Sequence, residues 1–160
     1  MPKSVFYLGG DSYPADRGLE DAVRPLLTAD QVMLVSHQDL RDFAAQAGLG
    51  WSLESRLAVL ERIVPEIAAG RDILLIGRSS RATVMTLFAS RRQVTAVVCV
   101  AYPFKNPMRV LEHERFAHLA TLATPTLIIQ GIQDPYGGIG VTENYLLSPS
   151  IRLEFVDGDH

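Results

Sequence analysis

The sequence is short of several things, and each shortage excludes a class of protein. It holds one cysteine in 160 residues, so no disulfide framework can brace it. That residue, Cys99, lies inside Val97-Val98-Cys99-Val100 and reads as a small core side chain. Excess positive charge is missing too: the formal net charge is −3. Neither nucleic acid nor an anionic membrane is therefore an expected partner, because both reward a basic surface. No apolar run approaches the ~18–20 residues that a membrane span needs. Met1-Pro2-Lys3 leads directly into a strand-like segment, so no leader is expected and the reduced cytoplasm is the default compartment. Gly9-Gly10 belongs to no Gly-x-Gly-x-x-Gly and is followed by no Gly-Lys-Ser/Thr, which leaves nucleotide binding weakly supported. His113 and His118 stand five apart without the acidic and histidine pattern of a zinc site, so neither metal nor cofactor is expected. Internal repeats, linkers and low-complexity stretches are also lacking.

What is present is enough apolar material, 48% of the residues, for one core in one domain spanning residues 1–160. Strands and helices alternate along it. Ser4–Leu8 reads as a strand stopped by Gly9-Gly10. A loop follows, then a short helix with Leu19, Val23, Leu26 and Leu27 at helical spacing and Pro25 as a kink or boundary. Residues 31–36 form a near-continuous apolar strand, as in a parallel sheet covered on both faces. Residues 37–51 are polar and contain glycine, and read as a loop with at most one helical turn around Phe43. Ser52 is a plausible N-cap for a helix whose apolar stripe is Leu53, Leu57, Leu60, Val64 and Ile67, closed by Gly70. Further strands are expected over residues 72–78, 95–101, 125–131 and 150–156. Helices are expected over 80–91, 112–122 and 141–147, and the prolines of 102–107 demand irregular chain. Such alternation calls for right-handed crossovers and a mostly parallel sheet with helices on both faces. In such a sheet a ligand site lies beyond the carboxyl ends of the strands.

Chemistry gathers at those ends. Leu74-Leu75-Ile76-Gly77-Arg78-Ser79 is an apolar run, then Gly-x-Ser, then a helical pattern without a breaker. A strand turning tightly into a helix would lift the Ser79 hydroxyl above the sheet edge, the geometry of a nucleophile elbow. The usual motif has a second glycine where Arg81 stands, so that side chain is expected to swing outward or widen the turn. Asp134 follows the fifth strand and His160 the sixth, giving the order serine, acid, histidine of an α/β-hydrolase. A serine hydroxyl must give its proton to a base, a histidine accepts one near neutral pH, and a carboxylate fixes the imidazole tautomer. Asp157 and Asp159 flank His160 and are the competing acids. The helix start at Ser80 supplies one amide for a developing oxyanion, and Gly10 or Asp11 supplies the other. Asp11, Arg78 and Tyr102, each at or just past a strand end, are expected to border the substrate, and Arg78 or Arg81 could hold an anionic group on it. Arg91 and Arg92 read as solvated charges, and His37, His113 and His118 as surface or loop residues.

Four segments together, residues 74–79, Tyr102-Pro103-Phe104, residues 125–137 and Asp157-Gly158-Asp159-His160, resemble the α/β-hydrolase-like family that includes testis-expressed protein 30 and a subunit of the non-specific-lethal complex. Gln130-Gly131-Ile132-Gln133-Asp134-Pro135-Tyr136-Gly137 is the most specific part. The resemblance implies a three-layer α/β-hydrolase-like fold with a six-stranded, mostly parallel sheet in the order 2-1-3-4-5-6 and no cap domain. It implies Ser79, Asp134 and His160 as the catalytic triad, with Gly10 and Ser80 as the oxyanion hole. The expected activity is that of a small serine hydrolase on an ester or thioester of a small acyl substrate. A catalytically degenerate binding or interaction module is the alternative, and a flavodoxin-like binder of a phosphorylated ligand a third.

Overall fold

The computed structural model describes residues 2–27 and 31–160; Met1, where the leader reading starts, and residues 28–30 lie outside that description. Among the described residues, six strands form one sheet: β1 (Lys3–Leu8), β2 (Val32–Val35), β3 (Asp72–Arg78), β4 (Ala96–Val100), β5 (Thr126–Gly131) and β6 (Ile151–Val156). Their order is β2-β1-β3-β4-β5-β6, and every neighbouring pair is parallel. Five α-helices accompany them: α1 (Gly18–Val23), α2 (His37–Gln46), α3 (Leu53–Ile67), α4 (Ser80–Arg91) and α5 (Val141–Asn144). Among the described residues no cap domain covers the sheet. No described helix is long and apolar enough to cross a membrane.

The pleat of β1 sorts its side chains into two layers. Phe6 and Leu8 join a large core with Leu40 of α2, Leu57, Leu60 and Val64 of α3, and Met85 and Phe88 of α4. Val5 and Tyr7 face the other way, with Ile76, and pack against Leu19, Val23 and Leu27. Helix α4 is the most enclosed: Ala82, Thr83, Val84, Met85, Thr86, Phe88 and Ala89 are all buried. It follows β3 directly, and Gly77 makes that closeness possible. A Cβ there would stand 2.8 Å from both the Ala82 Cα and the Arg81 carbonyl oxygen, atoms of backbone that cannot rotate away.

Three expectations are corrected. Residues 37–46 are a helix, not a loop. Ser36 caps it, accepting from the Asp39 amide at 3.2 Å, while Asp39 accepts from the Ser36 amide at 2.8 Å. This reciprocal box starts α2, and burial of Leu40 and Ala44 holds it down. Residues 112–122 form two short 3₁₀ turns, His113–Arg115 and Ala117–Ala120, in place of one helix. Helix α5 stops at Asn144, short of Leu147, where Tyr145 turns extended. The parallel sheet and its 2-1-3-4-5-6 order are as expected. Pro25 marks a boundary: α1 ends at Val23 and a 3₁₀ turn covers Arg24–Leu27. Ser52 caps α3 as expected, accepting from the Ser55 amide at 3.1 Å.

Candidate active site

Ser79 sits between β3 and α4 at φ 53° and ψ −133°, a left-handed conformation that an L-residue adopts only under constraint. The constraint comes from both sides. Its amide donates to the Val100 carbonyl on the neighbouring strand at 3.0 Å, and its carbonyl accepts from the Ala82 amide at 2.8 Å. The turn leaves the hydroxyl on the carboxyl side of the sheet, where His160 Nε2 lies 2.7 Å from Oγ.

His160 reaches that point because the chain after β6 folds back across the end of β5. Gln133 donates its amide to the Gly158 carbonyl at 3.0 Å. Gly131 is what lets the two backbones touch: a Cβ there would stand 2.2 Å from the Asp159 carbonyl oxygen. Arg78 Nη2 reaches the His160 carbonyl at 3.4 Å, and the ring of Tyr136 packs on the imidazole at 4.4 Å between centroids.

The other imidazole nitrogen, Nδ1, lies 3.0 Å from Asp134 Oδ2 and 3.2 Å from Oδ1. The Asp134 side chain is fully buried, and a carboxylate in that position needs its lone pairs used. Gln130 Nε2 donates to Oδ2 at 2.5 Å and the Tyr136 amide to Oδ1 at 2.8 Å. Because a carboxylate only accepts, the proton on Nδ1 faces Asp134, and the lone pair of Nε2 faces the Ser79 hydroxyl. Asp157 and Asp159, the competing acids, are exposed, and Asp157 accepts instead from Gln133 Nε2 at 3.3 Å.

A family model for the alpha/beta hydrolase domain matches residues 52–160, more than half of the chain. The chain belongs to the alpha/beta hydrolase family. Solved structures agree with this hydrolase fold. An alpha-beta serine hydrolase homologue from Coxiella burnetii superposes with a TM-score of 0.68 at 21% identity, covering 99% of this chain and 76% of that one. The esterase domain of a Rhodothermus marinus protein gives 0.64 at 17% identity, covering 99% and 76%. A monoacylglycerol lipase from Paleococcus ferrophilus gives 0.65 at 12% identity, covering 98% and 85%. At such identities the likeness is one of fold. Among curated proteins none matches the chain.

The alpha/beta hydrolase elbow here departs from its usual pattern at Arg81, and the residue does neither thing expected of it. The guanidinium is buried and forms an ion pair with Asp11, on the loop after β1. Asp11 also accepts from the Ser80 hydroxyl at 2.9 Å. A second pair, Arg78 with Asp16, ties the same loop to the end of β3. Both arginines thus clamp the loop that carries Gly10. A Cβ on Gly10 would stand 2.2 Å from Asp16 Oδ2, so the carboxylate paired with Arg78 would have to shift to admit one.

Tyr102 is corrected: it is fully buried, and its hydroxyl donates to the Arg115 carbonyl at 2.5 Å, so it packs the wall behind the site and cannot border a substrate. Its amide donates to Gln130 Oε1 at 3.0 Å, so one glutamine spans from this wall to Asp134. Gln130 had no role in the sequence reading, although it stands in the most specific segment. His37, expected as a surface or loop residue, is instead the first residue of α2. It is buried under the loop, stacked on Tyr13 at 4.0 Å, and its Nδ1 accepts from the Gly9 amide at 3.0 Å. Burial, then the charges of Arg81 and Arg41, push its pKa down to about 4. His118 is half-buried against Thr86 Oγ1 at 2.9 Å and is likewise pushed down to about 4, mainly by burial. His113 is exposed, and burial pushes the Cys99 thiol up, as expected for a core cysteine. Among the described residues no cluster of three metal-ligating side chains occurs.

Beside the elbow a groove of about 510 Å³ runs along one side of α4. Ser80, Thr83, Leu87 and Arg91 line it at helical spacing. Leu53 and Arg56 of α3 face them, and Glu112 and Arg115 close the far side.

Proposed function

We propose that this chain is a small serine hydrolase acting on ester or thioester bonds. The observation that carries the reading is the continuous hydrogen-bonded line Ser79–His160–Asp134, assembled at the carboxyl ends of β3, β6 and β5. Ser79 Oγ attacks the acyl carbonyl while its proton passes to His160 Nε2. Asp134 holds the imidazole in the required tautomer and stabilises the imidazolium. The carbonyl oxygen becomes an oxyanion, held by the amides of Gly10 and Ser80; the neighbouring Gly9 amide is already committed to His37. Collapse breaks the bond to the leaving oxygen or sulfur, which takes the proton from His160. Water then repeats the sequence on the acyl-enzyme, releasing the acid and restoring Ser79.

The finer kinship, with the group that includes testis-expressed protein 30, belongs to the same proposal, as does action in the cytoplasm without metal or cofactor. Among the described residues no cap lies over the sheet end, which suits the site to small or surface-presented acyl groups. A fluorophosphonate probe tests the reading. It should label the wild-type protein at one site, and Ser79→Ala should take up none. A folded wild-type protein that takes up no label is instead a binding module built on a hydrolase fold.

A further inference from the structure

The groove beside the elbow contains a buried donor with no protein partner. Arg56 is 8% exposed. Its Nε donates to the Ser52 carbonyl at 3.1 Å, but its Nη1 is buried without a partner, and no carboxylate among the described residues lies within ion-pair distance of it. Across the groove Thr83 is 2% exposed, and its Oγ1, beside the Tyr102 hydroxyl, makes no hydrogen bond of good geometry. A buried guanidinium with no carboxylate in direct contact is costly, and a buried donor without an acceptor adds to the cost. Arg81 beside it deepens the imbalance: it has Asp11, but its own Nε is also buried and unpartnered. Burial, then the charge of Arg81, push the Arg56 pKa down to about 10 against the opposing pull of Asp11 and Glu54.

None of the other charges of the groove pairs with Arg56 directly. Arg115 and Arg109 are taken by Glu112, and Arg91 by Glu61. Glu54 and Glu114 stand exposed at the rim, where solvent screens them. The buried floor of the groove is therefore cationic while its rim is mixed. The floor is also close to the chemistry. Thr83 follows Ser80 by three residues, about 4.5 Å along the helix axis at the usual rise, and Ser80 directly follows Ser79.

We propose that the groove takes an acyl chain that ends in a carboxylate. Arg56 and Thr83 hold the remote carboxylate while the ester carbonyl lies at Ser79. The substrate class is the monoester or monothioester of a short dicarboxylic acid. A planar guanidinium with a hydroxyl beside it matches a carboxylate better than it matches a methyl terminus. This inference rests on the hydrolase reading, and the experiment separates the two.

The mono-4-nitrophenyl ester of glutaric acid is compared with 4-nitrophenyl pentanoate, a neutral ester of similar length. The wild-type kcat/KM should favour the glutarate ester by about tenfold or more, chiefly through KM. Arg56→Gln should bring that ratio close to one, and Thr83→Val, a change of little volume, should lower it in the same direction. Equal rates for the two esters, or a ratio that neither substitution moves, overturn the subsite while the hydrolase reading stands. Thermal melting with free glutarate, against glutaric diamide, reads the subsite without turnover. If neither ester is cleaved, stabilisation by glutarate alone, lost in Arg56→Gln, keeps the subsite and discards the hydrolase. If glutarate gives no more stabilisation than the diamide, the subsite fails.

Discussion

At Ser79 the backbone is held at φ 53°, where a Cβ costs about 1 kcal/mol or more and glycine costs nothing sterically. The chain keeps that cost because the conformation aims the hydroxyl at His160. Ser79→Gly and Ser79→Ala both remove the hydroxyl, so the difference between them reports the backbone alone. Urea denaturation should find the glycine variant more stable than the alanine variant by about 1 kcal/mol. Equal stabilities would mean the turn is not strained. Ser79, Asp134 and His160 were legible in the sequence because each follows a strand, and strand ends in a parallel sheet share one edge. Gln130, His37 and Arg56 were not. Their roles come from contacts 4, 28 and 4 residues away along the chain that only the folded backbone brings into hydrogen-bond range. Tyr102 was misplaced for a related reason: its position after β4 is visible, but the inward direction of its side chain is not.

Among the elements, two glycines set how closely segments cross, with different consequences. Gly77 lets α4 lie against β3, in the middle of the core, so a methyl group there pushes apart two buried elements. Gly131 lets residues 157–160 cross the end of β5, at the edge of the molecule, where a methyl would meet the carbonyls of Gly158 and Asp159. Gly131→Ala should therefore move the segment that carries His160 while sparing the core. Its fluorophosphonate labelling rate should fall by about tenfold or more, since the base loses its distance from Ser79, with a melting temperature within a few degrees of wild type. Unchanged labelling would show that the tail adapts without displacing the imidazole. The elements themselves were mostly legible, from apolar runs and from the Ser52 and Gly70 boundaries. Helix α2 escaped because its box uses Asp39 where Glu or Gln is the stronger signal, and because Leu40, Phe43 and Ala44 make too narrow an apolar stripe to stand out against polar neighbours. The segment 112–122 failed the other way: its residues suit a helix, but Phe116 is drawn between His113 and Tyr145 and the helical path breaks there.

For the molecule as a whole, acid should be the solvent condition that tells most. His37 and His118 are both held neutral well below the ordinary histidine range. Unfolded, each would take up a proton near pH 6.5; folded, neither does so until about pH 4. The unfolded chain therefore binds more protons between those values, and stability falls as the pH drops from about 6.5 to about 4 and levels off below. Around His37 the sign is secured first by burial and then by Arg81, Arg41 and Arg56, which oppose its protonation, against Asp16, which favours it. Screening by solvent reduces the effect to about 1 kcal/mol for each histidine at pH 5, against the roughly 5–15 kcal/mol that holds a domain together. His37→Asn separates this linkage from general acid sensitivity, because an amide oxygen near the Nδ1 position can accept from the Gly9 amide and does not titrate. Urea melts at pH 7 and pH 5 should show a smaller loss for His37→Asn than for wild type. The histidine lies under the Gly9-Gly10 loop, so its protonation removes the acceptor that fixes the amide next to the proposed oxyanion donor. Stability and labelling rate should then decline together in wild type over this range, and the two declines should separate in His37→Asn.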